Sequence, residues 1–373
     1  MWRVIPSALS RFSALYTTFI PGLSMTHFPR SVLSLAICTV LGSSYARAAS
    51  TGLVNTDKLE EVVVTASRAK ERVFDSAATL SVITEQEIDR AIAPSLAETL
   101  RDIAGVQVND AGQPGQARIR IRGEESRRTA VLVNSQEVTD HHEIGTPLSL
   151  NPAMIERIEV VRGSGAVLYG SRALSGVVNF ITRKGGTEPV QATLSGSYDS
   201  ATEGYTGFAS LYGNLDGFEY RVAGSTSDYG DRSTPAGMMP NTSYENDSLY
   251  LYAGKSFATQ RFEYTYEDYR ASSETFVEEA VKNTFPLTDF SIDTPRRDRR
   301  KHGLFYEWSA DNDWLQSLVA NAYHQVSERH FYTFTETAMF ARDVNSKDTL
   351  ITDGALLQFN FQPWGRHSFT AGL

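Results

Sequence analysis

Strict alternation governs the second half of this sequence. In FEYTYED (262–268), Phe262, Tyr264 and Tyr266 share one side of an extended chain, and Glu263, Thr265 and Glu267 share the other. A helical period does not reproduce that pattern. Segments of similar length recur as QATLSGSYDS (191–200), GYTGFASLYG (204–213), FEYRVAGSTS (218–227), HGLFYEWSA (302–310), LQSLVANAYHQV (315–326) and GALLQFNFQ (354–362). SLYLYAG (248–254) is apolar on both faces at its centre. Their length suits a tilted strand crossing a bilayer. Short turns such as Asn214-Leu215-Asp216-Gly217 alternate with long polar loops, expected near 228–246, 271–300 and 328–352. Short turns on one rim and long loops on the other are the habit of an outer-membrane β-barrel. Aromatic residues near strand ends suit an interfacial girdle. A soluble β-sandwich is the alternative, with strands that are usually shorter.

The 373 residues allow two or three domains, and outside the leader no apolar run is long enough for a membrane-spanning helix. From Met25, a possible true start, a basic stretch ending at Arg30 leads into SVLSLAICTVLGSSYA and the small-residue site Ala46-Arg47-Ala48. Residues 1–48 therefore read as a secretory signal. Cys38, the only cysteine, lies inside that leader, so cleavage removes any disulfide, thiolate or Cys-ligated zinc. The net charge is −9, and losing a leader with four basic residues and no acid makes it more negative. Such a chain is a poor nucleic-acid binder.

Residues 49–70 are polar and extended and carry EEVVVTASR at 60–68. Val62, Val63, Val64 and Thr65 are β-branched and favour extended backbone. No partner strand is evident nearby in sequence, so the segment reads as a strand donor for another protein's sheet edge. An ordinary first strand of the next domain is the other reading. Residues 71–187 mix helical and strand patterns. Thr84/Glu87 and Ser95/Glu98 form capping boxes, and the second opens an expected amphipathic helix with Leu96, Leu100 and Ile103 on one face and Gly105 at its end. ARIRIRG (117–123), TAVLVN (129–134), IERIEVVRG (155–163) and GVVNFITR (176–183) read as strands. Gly163-Ser164-Gly165 after a strand suggests a dinucleotide loop, but Leu168 stands where a third glycine is due and a strand follows instead of a helix.

The combination resembles TonB-dependent outer-membrane receptors. EEVVVTAS resembles the TonB box, and 71–187 resembles the plug domain. The likeness is carried by PSLAETLRDIAGVQV (94–108), RIRIRGEESRRTAVLVN (118–134) and above all NPAMIERIEVVRGSGAVLYGSRALSGVVNFITRKG (151–185). The resemblance implies an α+β plug domain followed by a transmembrane antiparallel β-barrel, here its N-terminal portion at 188–373. Family barrels have twenty-two strands, whereas this sequence accommodates eight or nine and ends at Leu373, not an aromatic residue. An open barrel leaves an edge unpaired in lipid, so the expectation is the N-terminal part of a longer receptor or a truncated gene product. Most members have an Asp-Gly turn after the strand TAVLVN. Asn134-Ser135 stands there instead and is expected to be less tightly made.

The resemblance further implies an active-transport receptor in the outer membrane of a Gram-negative bacterium, not an enzyme. Glu61, Val62, Val63, Val64, Thr65 and Ala66 would add as a strand to TonB, which relays energy from its inner-membrane complex. The region 296–332 looks most like the branch that takes haem or iron from haemoglobin. That implies haem or an iron chelate as transported cargo, no permanent cofactor and no metal beyond haem iron. His141 and His142, on the plug loop SQEVTDHHEIGTP, are the candidate haem ligands. His330 is a weaker candidate at a loop start, and His324 is expected to face the lumen. Arg118, Arg120, Arg122, Arg127 and Arg128 form a basic patch that attracts an anionic substrate or pairs with an acidic lumen wall. RRDRRK (296–301) is expected at a loop-to-strand boundary, touching lipopolysaccharide phosphates or simply solvated. A ferric siderophore, another metal chelate or cobalamin is the alternative cargo, and a non-transporting binding fragment is the alternative class.

Overall fold

The structure is a computed structural model that describes residues 63–64, 71–72, 79–91, 95–110, 117–138, 150–163, 169, 171–309, 314–364 and 367–373. The leader, with Met25, lies outside the described residues. In chain order the first strands are β1 (Val63–Val64), β2 (Glu71–Arg72), β3 (Thr79–Thr84), β4 (Val106–Asp110), β5 (Ala117–Ile121), β6 (Thr129–Val133), β7 (Gln136–Glu137), β8 (Ile155–Arg162) and β9 (Gly176–Thr182). Helix α1 (Glu85–Ala91) follows β3. A mixed five-stranded sheet has the order β3-β8-β9-β6-β7, with β6 and β9 parallel and the other pairs antiparallel. β4 and β5 form a separate hairpin.

β6 and β9 read TAVLV and GVVNFIT and are buried at every position, as strands covered on both faces must be. On one face Ile158, Val160, Val178 and Phe180 join Leu96, Leu100, Ile119 and Ile121 in one apolar cluster. On the other, Ala130, Leu132, Val161 and Val177 gather with Ala173. Each such aliphatic side chain contributes about 1.5–3 kcal/mol by leaving water. In β5 the isoleucines are buried and the arginines half-buried, as its alternation requires.

Local signals were followed with two exceptions. The Thr84 N–H donates to Glu87 Oε2 at 2.8 Å, capping α1. The amphipathic helix expected after Ser95 is instead a 3₁₀ turn at Glu98–Leu100. Leu96 and Leu100 are still buried, but Gly105, at φ +77°, diverts the chain into β4 before a longer helix can form. The turn at Asn134-Ser135 is not loose. Both residues have positive φ, 52° and 63°, as a tight hairpin turn demands. The Thr182 N–H donates to Asn134 Oδ1 at 3.0 Å, and the Ser135 N–H donates to Asn179 Oδ1 at 3.0 Å. A backbone N–H and a side-chain carbonyl from β9 thus supply what an Asp-Gly pair would supply by conformation.

A nine-stranded antiparallel sheet follows, with each strand next to its chain neighbour. It comprises β10 (Gln191–Asp199), β11 (Gly204–Leu215), β12 (Phe218–Tyr229), β15 (Tyr244–Ser256), β16 (Gln260–Thr275), β17 (Leu287–Ser309), β18 (Leu315–Thr337), β19 (Ala341–Trp364) and β20 (His367–Gly372). A side hairpin, β13 (Arg232–Thr234) with β14 (Gly237–Met239), and helix α2 (Glu279–Lys282) occupy the intervening connections. The sheet is open, with β10 and β20 at its edges. One face carries Leu194, Leu211, Val222, Phe262 and Leu304, all exposed. The other carries Ser210, Arg221, Ser225, Thr265 and Gln325, all buried against the plug side. Apolar-out, polar-in alternation is the pattern of a wall standing in lipid. Among the described residues no helix is long and apolar enough to cross a membrane.

The loops expected at 271–300 and 328–352 are mostly strand. β17 and β18 have 23 residues each and β19 has 24. At about 3.3 Å per residue such a strand is roughly 75 Å long, well beyond an apolar band of about 25 Å. Outside that band both faces meet polar surroundings, so the hydropathy alternation fades while backbone pairing continues.

Gly176 is needed where β9 begins: at φ +153°, an added Cβ would stand 2.3 Å from the Val161 carbonyl oxygen and 2.8 Å from Ile121 Cδ1. Gly176→Ala is therefore expected to destabilise the plug by about 1–3 kcal/mol. A lowered urea midpoint for tryptic cleavage between 79 and 182 checks it, and an unchanged midpoint contradicts it.

Candidate functional site

Alternation aims a row of wall residues at the plug. β7 carries Gln136 to the wall, where its Nε2 donates to Asn321 Oδ1 on β18 at 2.9 Å, with both side chains buried. Gly303 on β17 leaves the room: a Cβ there would stand 2.8 Å from Gln136 Oε1 and 2.5 Å from Thr265 Oγ1. Toward the short-turn end, the Thr182 and Tyr250 hydroxyls share a hydrogen bond of 2.8 Å, and Arg221 Nε donates to the Lys184 carbonyl. Lys184 Nζ lies 2.6 Å from Glu263 Oε1. Glu263 also pairs with Arg261, whose Nη2 is 2.8 Å from Glu219 Oε2. Two cations and two carboxylates close a balanced network. A polar cavity of about 620 Å³ remains between plug and wall, lined by residues including Asn134, Gln136, Arg157, Arg261 and Glu263. Such a lining suits water, and the cavity leaves plug and wall out of direct contact along this part of the seam.

Toward the other end the inner wall is cationic. Arg297, Arg299 and Lys301 follow one another on the inner face of β17, with Arg329 opposite on β18. Arg299 Nη2 is 2.9 Å from Glu267 Oε2, and Lys301 Nζ is 4.0 Å from Glu267 Oε1. Arg329 Nη2 is 2.8 Å from Asp348 Oδ2. The sequence reading missed this row by treating RRDRRK as one run at a loop boundary. Period-two reading of the same six residues separates Arg297, Arg299 and Lys301 from Arg296, Asp298 and Arg300. The second set faces outward, where Arg296 and Arg300 pair with Glu328 and Arg296 also with Asp298.

The other candidates fall as follows. His141 and His142 lie outside the described residues, as do Glu61, Val62, Thr65 and Ala66. The backbone of Val63 and Val64 does have a partner: β1 pairs antiparallel with β2, Val63 opposite Arg72 and Val64 opposite Glu71. The sequence pattern did not reveal this pairing. Arg127 pairs with Glu125 at 2.6 Å and Arg128 with Glu124 at 2.9 Å, both exposed and within the plug. The hydrogen bond and charge of Arg127 hold the Glu125 carboxyl below the ordinary carboxylate value. Among the described residues Arg118 and Arg120 make no ion pair with the wall, whose acids Glu219, Glu263 and Glu267 are engaged elsewhere. Pairing of Arg118 and Arg120 with an acidic wall is thus not observed among the described residues.

His330 does not open a loop. It lies within β18 opposite Arg296 and Lys347. His324 does not face the lumen: register places Asn321 and Gln325 inward, so His324 faces outward, with Nδ1 2.7 Å from Asp353 Oδ1. Among the described residues no three His, Cys, Asp or Glu side chains gather as a metal site.

Residues 72–177 match the family model of the TonB-dependent Receptor Plug Domain. Among curated proteins, the vitamin B12 transporter BtuB of Photobacterium profundum is 38% identical over 157 residues, covering 42% of this chain and 25% of that protein. The hemin receptor of Yersinia enterocolitica is 29% identical over 222 residues, covering 57% of this chain and 32% of that protein. The match thus spans between a quarter and a third of these relatives' length. Among solved structures, the copper transporter OprC superposes with a TM-score of 0.64 at 17% identity, covering 79% of this chain and 45% of OprC. That likeness establishes the fold: a plug with part of an antiparallel barrel wall, not closed on itself.

Replacing Gln136 by Ala strands the buried Asn321 Oδ1 and is expected to cost about 1–3 kcal/mol of plug–wall attachment. In a double-mutant cycle, Gln136→Ala with Asn321→Ala should cost less than the two single changes combined. Additive urea midpoints across the cycle would contradict the contact.

Proposed function

We propose that this chain, a member of the TonB-dependent receptor family and so of the Gram-negative outer membrane, imports an iron compound, most simply haem or iron taken from haem proteins. One observation carries the reading. The plug is held to the polar face of the wall by discrete hydrogen bonds and ion pairs around a polar cavity. A stopper attached in this way can be shifted stepwise, each neutral hydrogen bond contributing about 0.5–1.5 kcal/mol. Cargo bound from outside shifts the population of the valine segment toward release. Val63 and Val64 then leave their short ladder with β2, and residues 61–66 add as a strand to TonB. A two-residue ladder is a weak competitor for a longer one. No bond of the cargo need be made or broken, so no nucleophile or general base is required.

Haem is favoured by the resemblance of 296–332 and by the hemin receptor relative. Imidazole from His141 or His142 would supply an iron ligand. Cobalamin is the second reading, favoured by the BtuB relative. Growth of a receptor-deleted strain, complemented with the intact gene, separates the two: haemin as sole iron source for one, and cyanocobalamin dependence for the other.

Val63→Pro removes a backbone donor from the added strand. It is expected to abolish uptake while cells bind cargo as before; normal uptake, or lost binding, contradicts the coupling. His141→Ala combined with His142→Ala should weaken haemin binding by about tenfold or more, equivalent to ~1.4 kcal/mol. An unchanged haemin absorbance spectrum and affinity would remove the ligand assignment.

A further inference from the structure

The two ionic networks on the inner wall are built differently. Near the short turns, Arg261 and Lys184 meet Glu219 and Glu263, one carboxylate for each cation. Further along the same face, Arg299 and Lys301 share the single carboxylate of Glu267. Arg299 is 3% exposed, Lys301 1% and Glu267 2%. Lys301 Nζ and the Nε and Nη1 atoms of Arg299 are buried and make no hydrogen bond among the described residues. Lys301 Nζ instead lies 5.2 Å from the centroid of the Tyr323 ring.

Burying a cation without full pairing is expensive. Arg221, a third buried cation near the short turns, also has no acid, but its Nε donates to the Lys184 carbonyl and its Nη1 to Ser210 Oγ. The free donors of Arg299 and Lys301 have no such neutral acceptor among the described residues. Open, buried donors of one sign fit a carboxylate or other anionic oxygen that arrives later. The position says when. Lys301 is the next inward-facing residue after Gly303, against which the plug's Gln136 docks, and β7 packs on β18. Withdrawal of the β6–β7 hairpin would therefore open the wall next to Lys301.

We propose that Arg299 and Lys301 form a transit seat for anionic cargo on the barrel wall, closed by the seated plug. The inference rests on the import reading above and narrows its substrate class. Haem, with two propionates, and a ferric tris-catecholate, with its negative charge, qualify. Cyanocobalamin, whose amides are neutral and whose one phosphodiester charge is offset by the cobalt, has no net negative charge and gains less from such a seat. The pair acts during passage and not in first capture, so it governs transport rate and leaves resting affinity alone.

The test compares haemin uptake and haemin affinity in cells carrying the intact receptor. Arg299→Gln with Lys301→Met is expected to slow uptake about tenfold or more at unchanged affinity, while Lys301→Arg keeps most of the rate. In the wild type, haemin dimethyl ester, whose propionates are masked, should bind yet cross slowly. This comparison needs no variant and guards against misfolding. Wild-type uptake by the double variant, or an affinity loss matching the rate loss, overturns the transit seat. If the wild type takes up no haemin, the haem reading fails by itself, and ferric tris-catecholate becomes the probe. A rate defect of the double variant there supports the seat, and uptake of cyanocobalamin alone overturns it.

Discussion

The rest of the structure depends on one constraint: a strand standing in lipid must pair its backbone sideways and show a different chemistry on each face. That requirement puts Leu194, Leu211, Val222 and Leu304 outward and leaves the inner face polar. The inner face then cannot fuse with the plug as two halves of an oily core would. It makes specific contacts instead, such as Gln136 to Asn321 and Lys184 to Glu263. Some apolar contact persists where Phe208, Ala223 and Tyr250 join the plug's own cluster. The plug is thus seated by a local apolar contact and by separable polar contacts elsewhere.

Much of this was legible in the sequence because period two is a local signal. FEYTYED fixes the faces of β16, and the β-branched runs mark β6, β8 and β9. What was not legible lies where the local signal is silent. The outer reaches of β17, β18 and β19 lose their hydropathy alternation once both faces meet polar surroundings, so they read as loops although pairing continues. The 3₁₀ turn at Glu98–Leu100 reflects a limit on chain length imposed by Gly105, which the spacing of leucines does not encode. Asn134-Ser135 read as a weak turn because its support comes from Asn179 and Thr182, more than forty residues away.

The candidate site was less legible than the fold. Its contacts join residues far apart in sequence; Gln136 and Asn321 are separated by 185 positions. The inner-wall cations were hidden inside a charged run that looks solvated until it is divided by strand alternation. His324 shows the reverse error, a histidine given to the lumen that its register sends outward beside Asp353. The short ladder of Val63–Val64 with Glu71–Arg72 carries no pattern at all, because two residues are too few to show one.

The central claim is that passage requires the plug to leave the wall at the Gln136–Asn321 contact. Cys38 is the only cysteine in the given sequence, so Gln136→Cys and Asn321→Cys add a pair of thiols on plug and wall, and each single-cysteine variant treated alike is the control. A short reducible crosslinker between them tethers plug to wall, and uptake is measured before and after reduction. The account predicts that the tether stops uptake without preventing cargo binding and that reduction restores it. Undiminished uptake through a fully tethered receptor would contradict it.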